Sequence, residues 1–353
     1  MIFKRKLFTN ILLKILLTCD PEIPVPPGLY GGIERIVEML VNAYVEHGFD
    51  VTLCANPESK VPCRLVGWKG SKSQDLAATI KNTLQLSQLV YRERFDIVHS
   101  FSRLAYMMAI MPFDIPKIMS YQRDPSVKQV GKAVLLSKKG SMIFTGCSNY
   151  IADIIKPYAE AHTIYNCVPV DKYQATERVE ADAPLVFLGR LEDIKGPHLA
   201  IEVAQKTGKR LIIAGNIPQG KKDFFEQKIK PHLNERITYI GPIDDTAKNE
   251  ILGKALAFLM PIQWNEPFGI VMAEAMACGT PVVGLAYGSV PEVVENGING
   301  FVCTSVEGMV VAVGKVHTLD RLPIRKIVEQ KYSNTKATND YLSLYKTILN
   351  RRK

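Results

Sequence analysis

Residues 266–283, EPFGIVMAEAMACGTPVV, set two carboxylates, Glu266 and Glu274, around an aromatic–glycine turn and the start of a helix. Pro267 biases Glu266 toward extended or turn backbone, and Gly269 lets the chain pass close to a ligand. The run from Ile270 to Ala277 is made of good helix formers. Glu266 is therefore expected on a loop and Glu274 on a helix. Carboxylates accept paired hydrogen bonds from vicinal hydroxyls, and a helix N-terminus offers free amides and the positive end of its dipole to anions. One short segment can thus hold a sugar, a ribose and a pyrophosphate. Two glutamates on a surface helix of an ordinary α/β domain would look similar in isolation, so the reading rests on what accompanies them.

Working outward, Arg190 ends an apolar run at Leu185–Gly189 and is followed by LEDI and then Lys195-Gly196-Pro197. Proline suits the first turn of a helix, so two cations gather beside a helix N-terminus. Such a pair can stabilise a departing nucleoside diphosphate, or be a solvated pair with no further task. Gly31 and Gly32 follow the first strand candidate and open a helix, which permits close approach to a phosphate or sugar. No complete GxGxxG is present, which argues against a dinucleotide-dependent dehydrogenase. His99 closes the strand-like DIVHSF at the edge where parallel α/β sheets place ligands. A lone histidine there is more often structural. Tyr121, Gln122, Arg123 and Asp124 end the next strand and are expected to line an acceptor cleft.

Short apolar runs alternate with amphipathic segments along the whole chain, the pattern of parallel sheets covered by helices. Strands are predicted at 14–19, 51–55, 97–101, 117–121, 142–147 and 163–166. A second series is predicted at 185–189, 211–214, 237–240, 257–260 and 281–285. A helix over 33–46 carries Ile33, Ile36, Val37 and Leu40 at core spacing and stops at Gly48. The length of 353 residues exceeds a usual single core. Apolar periodicity lapses between Pro169 and Pro184, so domains are expected over 1–175 and 176–335, with a terminal helix in 336–353.

The residues quoted so far resemble the signature of family 4 glycosyltransferases: Glu266 and Glu274 with seven residues between them, then Cys278-Gly279-Thr280-Pro281. The resemblance implies the GT-B fold, two Rossmann-like domains with parallel sheets facing across a cleft, the acceptor side in the first and the nucleotide-sugar donor in the second. It implies that Glu266, with Pro267, Phe268, Gly269 and Ile270, meets the donor sugar and that Glu274 binds the ribose. It also implies that Arg190 and Lys195 hold the pyrophosphate, that Gly31 and Gly32 lie near the donor phosphates, and that His99 touches the sugar near the reacting carbon. The terminal helix is expected to return to the first domain. Departures are visible: Phe101 where many relatives have a polar residue, Asn166-Cys167-Val168 for Asn-Gly-Val, Asn216 for an acid and Ser289 for a second glycine.

Composition is that of a globular protein, with 47% hydrophobic and 22% charged residues. The formal charge of +9 is spread nearly evenly over both halves, which fits anionic small molecules, an anionic membrane surface or nucleic acid and by itself does not choose among them; no nucleic-acid partner is expected. Lys128, Lys132, Lys138 and Lys139 flank apolar residues on a predicted helix over 128–139 that could rest on anionic lipid or be a solvated face. Seven cysteines form no CxxC pair and no metal-ligand spacing, and are expected to be reduced and mostly buried. The N-terminal MIFKRKLFTNILLKILLTC superficially suggests a signal peptide, but Lys14 interrupts it and no cleavage site follows. The expected location is cytoplasmic, with peripheral association on the inner membrane face open.

The function implied is that of a retaining hexosyltransferase needing no metal or cofactor. It would move sugar from a nucleotide diphosphate sugar, UDP-sugar first among them, to a hydroxyl of a glycan, lipid-linked or small-molecule acceptor in cell-envelope glycan or exopolysaccharide synthesis. The alternatives are an epimerase or hydrolase on the same fold, and a non-catalytic nucleotide-sugar-binding protein.

Overall fold

Apolar runs such as LVFL at 185–188 and VVGL at 282–285 have no polar face to turn toward water, so they need sheets covered on both sides. A computed structural model describes residues 13–28 and 31–352 and builds two such sheets in two compact units. The first unit comprises residues up to Gly146, Ile151–Ile164 and Thr338 onward; the second comprises Cys147–Tyr150 and Tyr165–Ala337.

The first unit carries a seven-stranded sheet in the order β3-β2-β1-β4-β5-β6-β7, every neighbouring pair parallel. Its strands are β1 (Lys14–Thr18), β2 (Asp50–Ala55), β3 (Arg64–Gly67), β4 (Ile97–Ser100), β5 (Lys117–Tyr121), β6 (Met142–Gly146) and β7 (Ala161–Thr163). The helices between them are α1 (Gly32–Glu46), α2 (Leu76–Arg92), α3 (Val127–Leu136) and α4 (Asn149–Ile155). The second unit has a six-stranded parallel sheet in the order β10-β9-β8-β11-β12-β13. Its strands are β8 (Leu185–Leu188), β9 (Leu211–Ala214), β10 (Ile237–Tyr239), β11 (Ala257–Met260), β12 (Val282–Leu285) and β13 (Gly300–Cys303). Helices α5 (Pro197–Thr207), α6 (Lys222–Phe224), α7 (Asp245–Gly253), α8 (Ile270–Ala277), α9 (Val290–Val293), α10 (Val306–Val313) and α11 (Arg321–Lys331) belong to it. The last helix, α12, runs Asn334–Asn350.

In both sheets the strand order reverses once, between β1 and β4 and between β8 and β11. Successive connections leave such a point on opposite faces, opening a crevice at the carboxyl ends of the strands where ligands bind. The segments singled out from the sequence lie at these two points. Gly31 and Gly32 follow β1 and His99 is in β4; Arg190 and Lys195 follow β8, and Glu266 follows β11.

Two strands escaped prediction, β3 and β13, both at sheet edges and both short. Strand β3 is half-exposed and lacks an apolar run; β13 begins at Gly300, where a side chain would meet the Val282 carbonyl at 2.0 Å. The strand expected over 163–166 is instead Ala161–Thr163, held in register against Phe144–Gly146. The basic N-terminal start, residues 1–12, lies outside the described residues, whereas Lys14–Thr18 forms a central strand paired on both sides. No helix among the described residues is long and apolar enough to cross a membrane. Of the seven free cysteines six are buried, and Cys63 is partly so.

From Thr338 onward α12 clusters with the first unit, where Tyr341 and Tyr345 are buried. Tyr345 packs against Tyr44 of α1 with ring centroids 5.8 Å apart, and Tyr341 and Tyr345 both pack on His99. Burying two aromatic side chains contributes about 1.5–3 kcal/mol each, enough to hold a helix end with otherwise modest apolar content.

Candidate functional site

The second unit's switch point is built by two loops that touch. Gly196, at φ 72°, ends a turn over Asp193–Lys195 and precedes Pro197 at the start of α5. A side chain at Gly196 would meet the Pro261 carbonyl oxygen at 2.0 Å, so only glycine lets the β8–α5 loop lie on the β11–α8 loop. The Gln263 amide donates to the Ile194 carbonyl at 2.8 Å, and the Gln263 side-chain amide donates to that of Asp193 at 2.7 Å. Both α5 and α8 begin at a left-handed glycine, Gly196 and Gly269, and neither start is capped by a side chain. Uncapped first-turn amides with the positive dipole end form a ready anion site.

Glu266 is fixed from several sides. Its carbonyl accepts from the Ser289 amide at 2.9 Å, and a side chain at Gly288 would strike its backbone at 2.3 Å. Its carboxylate Oε2 takes the Lys195 ammonium at 2.6 Å and the Trp264 indole N–H at 3.0 Å. Lys195 also sits over the Trp264 ring, 4.9 Å from its centroid. Oε1 accepts no hydrogen bond from a described residue and can take a sugar hydroxyl. With the side chains only 17% and 12% exposed, deleting either partner would leave a largely desolvated charge.

Glu274, within α8, repeats the device. Its Oε1 accepts from the Tyr173 hydroxyl at 2.9 Å and from the Lys248 ammonium at 2.8 Å, whereas Oε2 is engaged by no described residue. Burial, with the Glu274 charge beside it, pushes the Tyr173 phenol well above its ordinary range, so it stays a donor. Arg190 is ion-paired with the buried Glu192 at 2.7 Å. Phe268 packs into a ring cluster with Tyr165 and Tyr332, anchoring the turn at Pro267–Gly269 from below.

In the first unit Gly31 caps α1 without a side-chain bond, and a side chain there would meet Pro27 at 2.6 Å and the Glu34 carboxylate at 2.8 Å. Gly32 is the first helical residue. Tyr121, Gln122, Arg123 and Asp124 line one cavity of about 370 Å³.

The expectation for His99 is corrected by its surroundings. The ring is fully buried, its Nδ1 is 2.5 Å from the Tyr345 hydroxyl, and its Nε2 is 2.6 Å from Ser120 Oγ. Tyr44 donates to Tyr345 at 3.2 Å, so Tyr345 is free to donate to Nδ1, and Nε2–H then donates to Ser120. Burial drives the imidazole pKa down to about 3, holding it neutral. With no exposed surface and both nitrogens taken, this ring touches no sugar; it is the socket for α12. Position at the end of a strand was the signal, and it cannot tell which way a side chain turns.

Within the second unit, then, the fold gathers Arg190, Lys195, Glu266, Pro267, Phe268, Gly269, Ile270 and Glu274 on two adjoining loops and one helix. Sequence reasoning missed Trp264, Gln263, Lys248 and Tyr173. Trp264 was legible as an aromatic two residues before the first glutamate, but nothing local marks Lys248 or Tyr173, which reach Glu274 from far along the chain. Among the described residues no group of three or more His, Cys, Asp or Glu side chains is arranged to hold a metal ion.

Residues 30–172 match the family described as Glycosyltransferase Family 4, and residues 171–316 match Glycosyl transferases group 1. The chain is similar to the N-acetyl-alpha-D-glucosaminyl L-malate synthase of Bacillus anthracis, 23% identical over 78% of this chain and 80% of that protein. It is 29% identical to the glycogen synthase of Mycobacterium tuberculosis over 63% of this chain, spanning 60% of that protein's length. Its fold is also that of HepE from Anabaena, solved in complex with UDP and glucose, with a TM-score of 0.73 at 17% identity, covering 95% of this chain and 100% of that one.

Proposed function

Because the chain belongs to the group 1 glycosyltransferases of family 4 and has the GT-B fold, we propose that it transfers a hexosyl group from a UDP-sugar to an acceptor hydroxyl with retention of configuration. The observation that carries this reading is the meeting of Lys195, Glu266 and two uncapped helix starts at one switch point. The helix starts and the cations Arg190 and Lys195 receive the diphosphate, whose negative charge grows as the sugar–phosphate bond breaks. Glu266 Oε1 holds the sugar hydroxyls, and Glu274 Oε2 the ribose.

In the step itself the bond from the anomeric carbon to the phosphate oxygen breaks. The acceptor oxygen bonds to the same face of that carbon, and its proton passes to the departing phosphate oxygen. His99 takes no part, since it is sealed in the core. Cationic side chains and helix dipoles neutralise the diphosphate, so the reaction is expected to run without metal or cofactor. The choice of UDP is supported by the complex of Anabaena HepE with UDP and glucose. A hydroxyl of a glycan, lipid-linked or small-molecule acceptor, in cell-envelope glycan or exopolysaccharide synthesis, is the expected recipient.

The test is a panel of UDP-, GDP- and ADP-sugars without acceptor, read by thermal stabilisation and slow nucleotide release. One nucleotide should stabilise the protein. Lys195→Ala and Glu266→Gln should each lower release by about 100-fold or more, the scale of a lost electrostatic contact in a transition state. No stabilisation by any donor would sink the transferase reading in favour of a protein that binds another ligand.

A further inference from the structure

The cavity of about 370 Å³ in the first unit falls within the usual range of small-molecule pockets, yet its walls are unlike those expected for a bare sugar. Met108, Met111, Met119, Leu104, Ala133 and Leu136 supply an apolar, adaptable lining. Arg103, Arg123 and Lys132 stand among the lining residues with the acid Asp124, and Arg123 is ion-paired at 3.2 Å with Asp20. The buried Tyr121 hydroxyl and Gln122 Nε2 have no hydrogen-bond partner among the described residues, a costly state that a bound polar group would relieve.

The same residues continue outward. Met108 is 54% exposed and Leu136 51%, and Leu135 beside it is 84% exposed at the end of α3. The Lys138 amide donates to the Met111 carbonyl at 3.0 Å, tying the end of α3 to the methionine-bearing segment. From Pro125 to Ala152 the chain has Lys128, Lys132, Lys138 and Lys139 and no acidic residue. Apolar walls, an apolar lip and a cationic surround select a molecule that is apolar at one end and anionic at the other.

We propose that this cavity binds an anionic amphiphile, and that the acceptor of the transfer is of this chemical class. The assignment of the molecule as acceptor rests on the glycosyltransferase reading above; the binding itself does not. The apolar chain lies along Met108, Met119 and Leu136, the anionic group faces Arg103 and Lys132, and Tyr121 and Gln122 meet its polar junction.

The experiment is calorimetric titration of the full-length protein with dodecyl phosphate below its micellar concentration, with inorganic phosphate and dodecyl maltoside as comparisons. Dodecyl phosphate should bind with one-to-one stoichiometry, and both comparisons should bind at least about tenfold more weakly. Leu136→Asp and Lys132→Glu, both at the cavity's accessible side, should each weaken dodecyl phosphate by about tenfold or more while keeping the stabilisation given by UDP. Absence of dodecyl phosphate binding, equal binding of the maltoside, or unchanged binding in both variants would overturn the proposal. Retained UDP stabilisation in such a result would leave the donor reading standing, and its loss with amphiphile binding intact would remove the donor reading alone. Sedimentation with phosphatidylglycerol vesicles separates the sources. Co-sedimentation lost in Leu136→Asp identifies a bilayer lipid, and monomer binding without co-sedimentation identifies a free amphiphile; either supports the proposal.

Discussion

Burial decides the charge state of His99, and with it a pH dependence. The ring's pKa in the fold is about 3 against an ordinary 6.5. Above pH 6.5 both folded and unfolded chains hold it neutral and its contribution is fully present. As pH falls from 6.5 toward 3, the unfolded chain takes up a proton that the folded ring refuses. Stability therefore declines by up to about 1.4 kcal/mol per pH unit. Between pH 7 and pH 5 the protein should lose about 2 kcal/mol more than a His99→Asn variant, measured by urea unfolding at each pH. Parallel loss in both proteins would show that the acid sensitivity has another source. At Glu274 the same scale of reasoning predicts a binding effect. Lys248→Met removes the cation that clamps Oε1 and should weaken UDP about tenfold, whereas an unchanged affinity would take Lys248 out of the site.

Among the elements, helix starts do most of the positioning. Helices α1, α5 and α8 each begin at a glycine with positive φ and no side-chain cap, unlike α2, α7, α10 and α11, which are capped by Asp75, Asp244, Ser305 and Asp320. Helices α3, α6 and α9 also start without a side-chain cap, but at Ser126, Lys221 and Ser289; the three glycine starts are those at the switch points. A capping carboxylate there would fill the anion site with the protein's own charge. Gly196→Ala tests how tightly the geometry is set, because it adds a left-handed strain of about 1–2 kcal/mol to a collision with the Pro261 carbonyl. It should lower the unfolding free energy by about 2 kcal/mol or more and abolish donor-dependent stabilisation. A variant with native stability and donor response would mean that the β8–α5 loop has slack that the contact distances deny.

At the scale of the whole molecule, each of the two units holds one of the two tryptophans: Trp68 lies in the first and Trp264 in the second. In a Trp68→Phe protein the emission of Trp264 alone should respond to UDP, and UDP at a hundred times its Kd should raise the unfolding free energy reported by that probe by about 2.7 kcal/mol. A silent Trp264 would separate the nucleotide from the Glu266 loop. Much of this molecule could be read from residue order. Short, mainly apolar runs marked ten of the strands in place, because a strand buried on both faces has little room for polar residues. The edge strands β3 and β13 were hidden because an edge is half-solvated and carries no such demand. The Glu266–Ile270 turn and the start of α8 follow from proline, glycine and helix-forming residues acting on their neighbours, so local chemistry by itself determined them. The partners of those groups lie far along the chain: Lys248 and Tyr173 at Glu274, Tyr345 at His99, and the methionines that meet around Tyr121. Which way a side chain turns at a strand end, and what it meets there, is settled by packing between distant segments, and that only the tertiary structure decided.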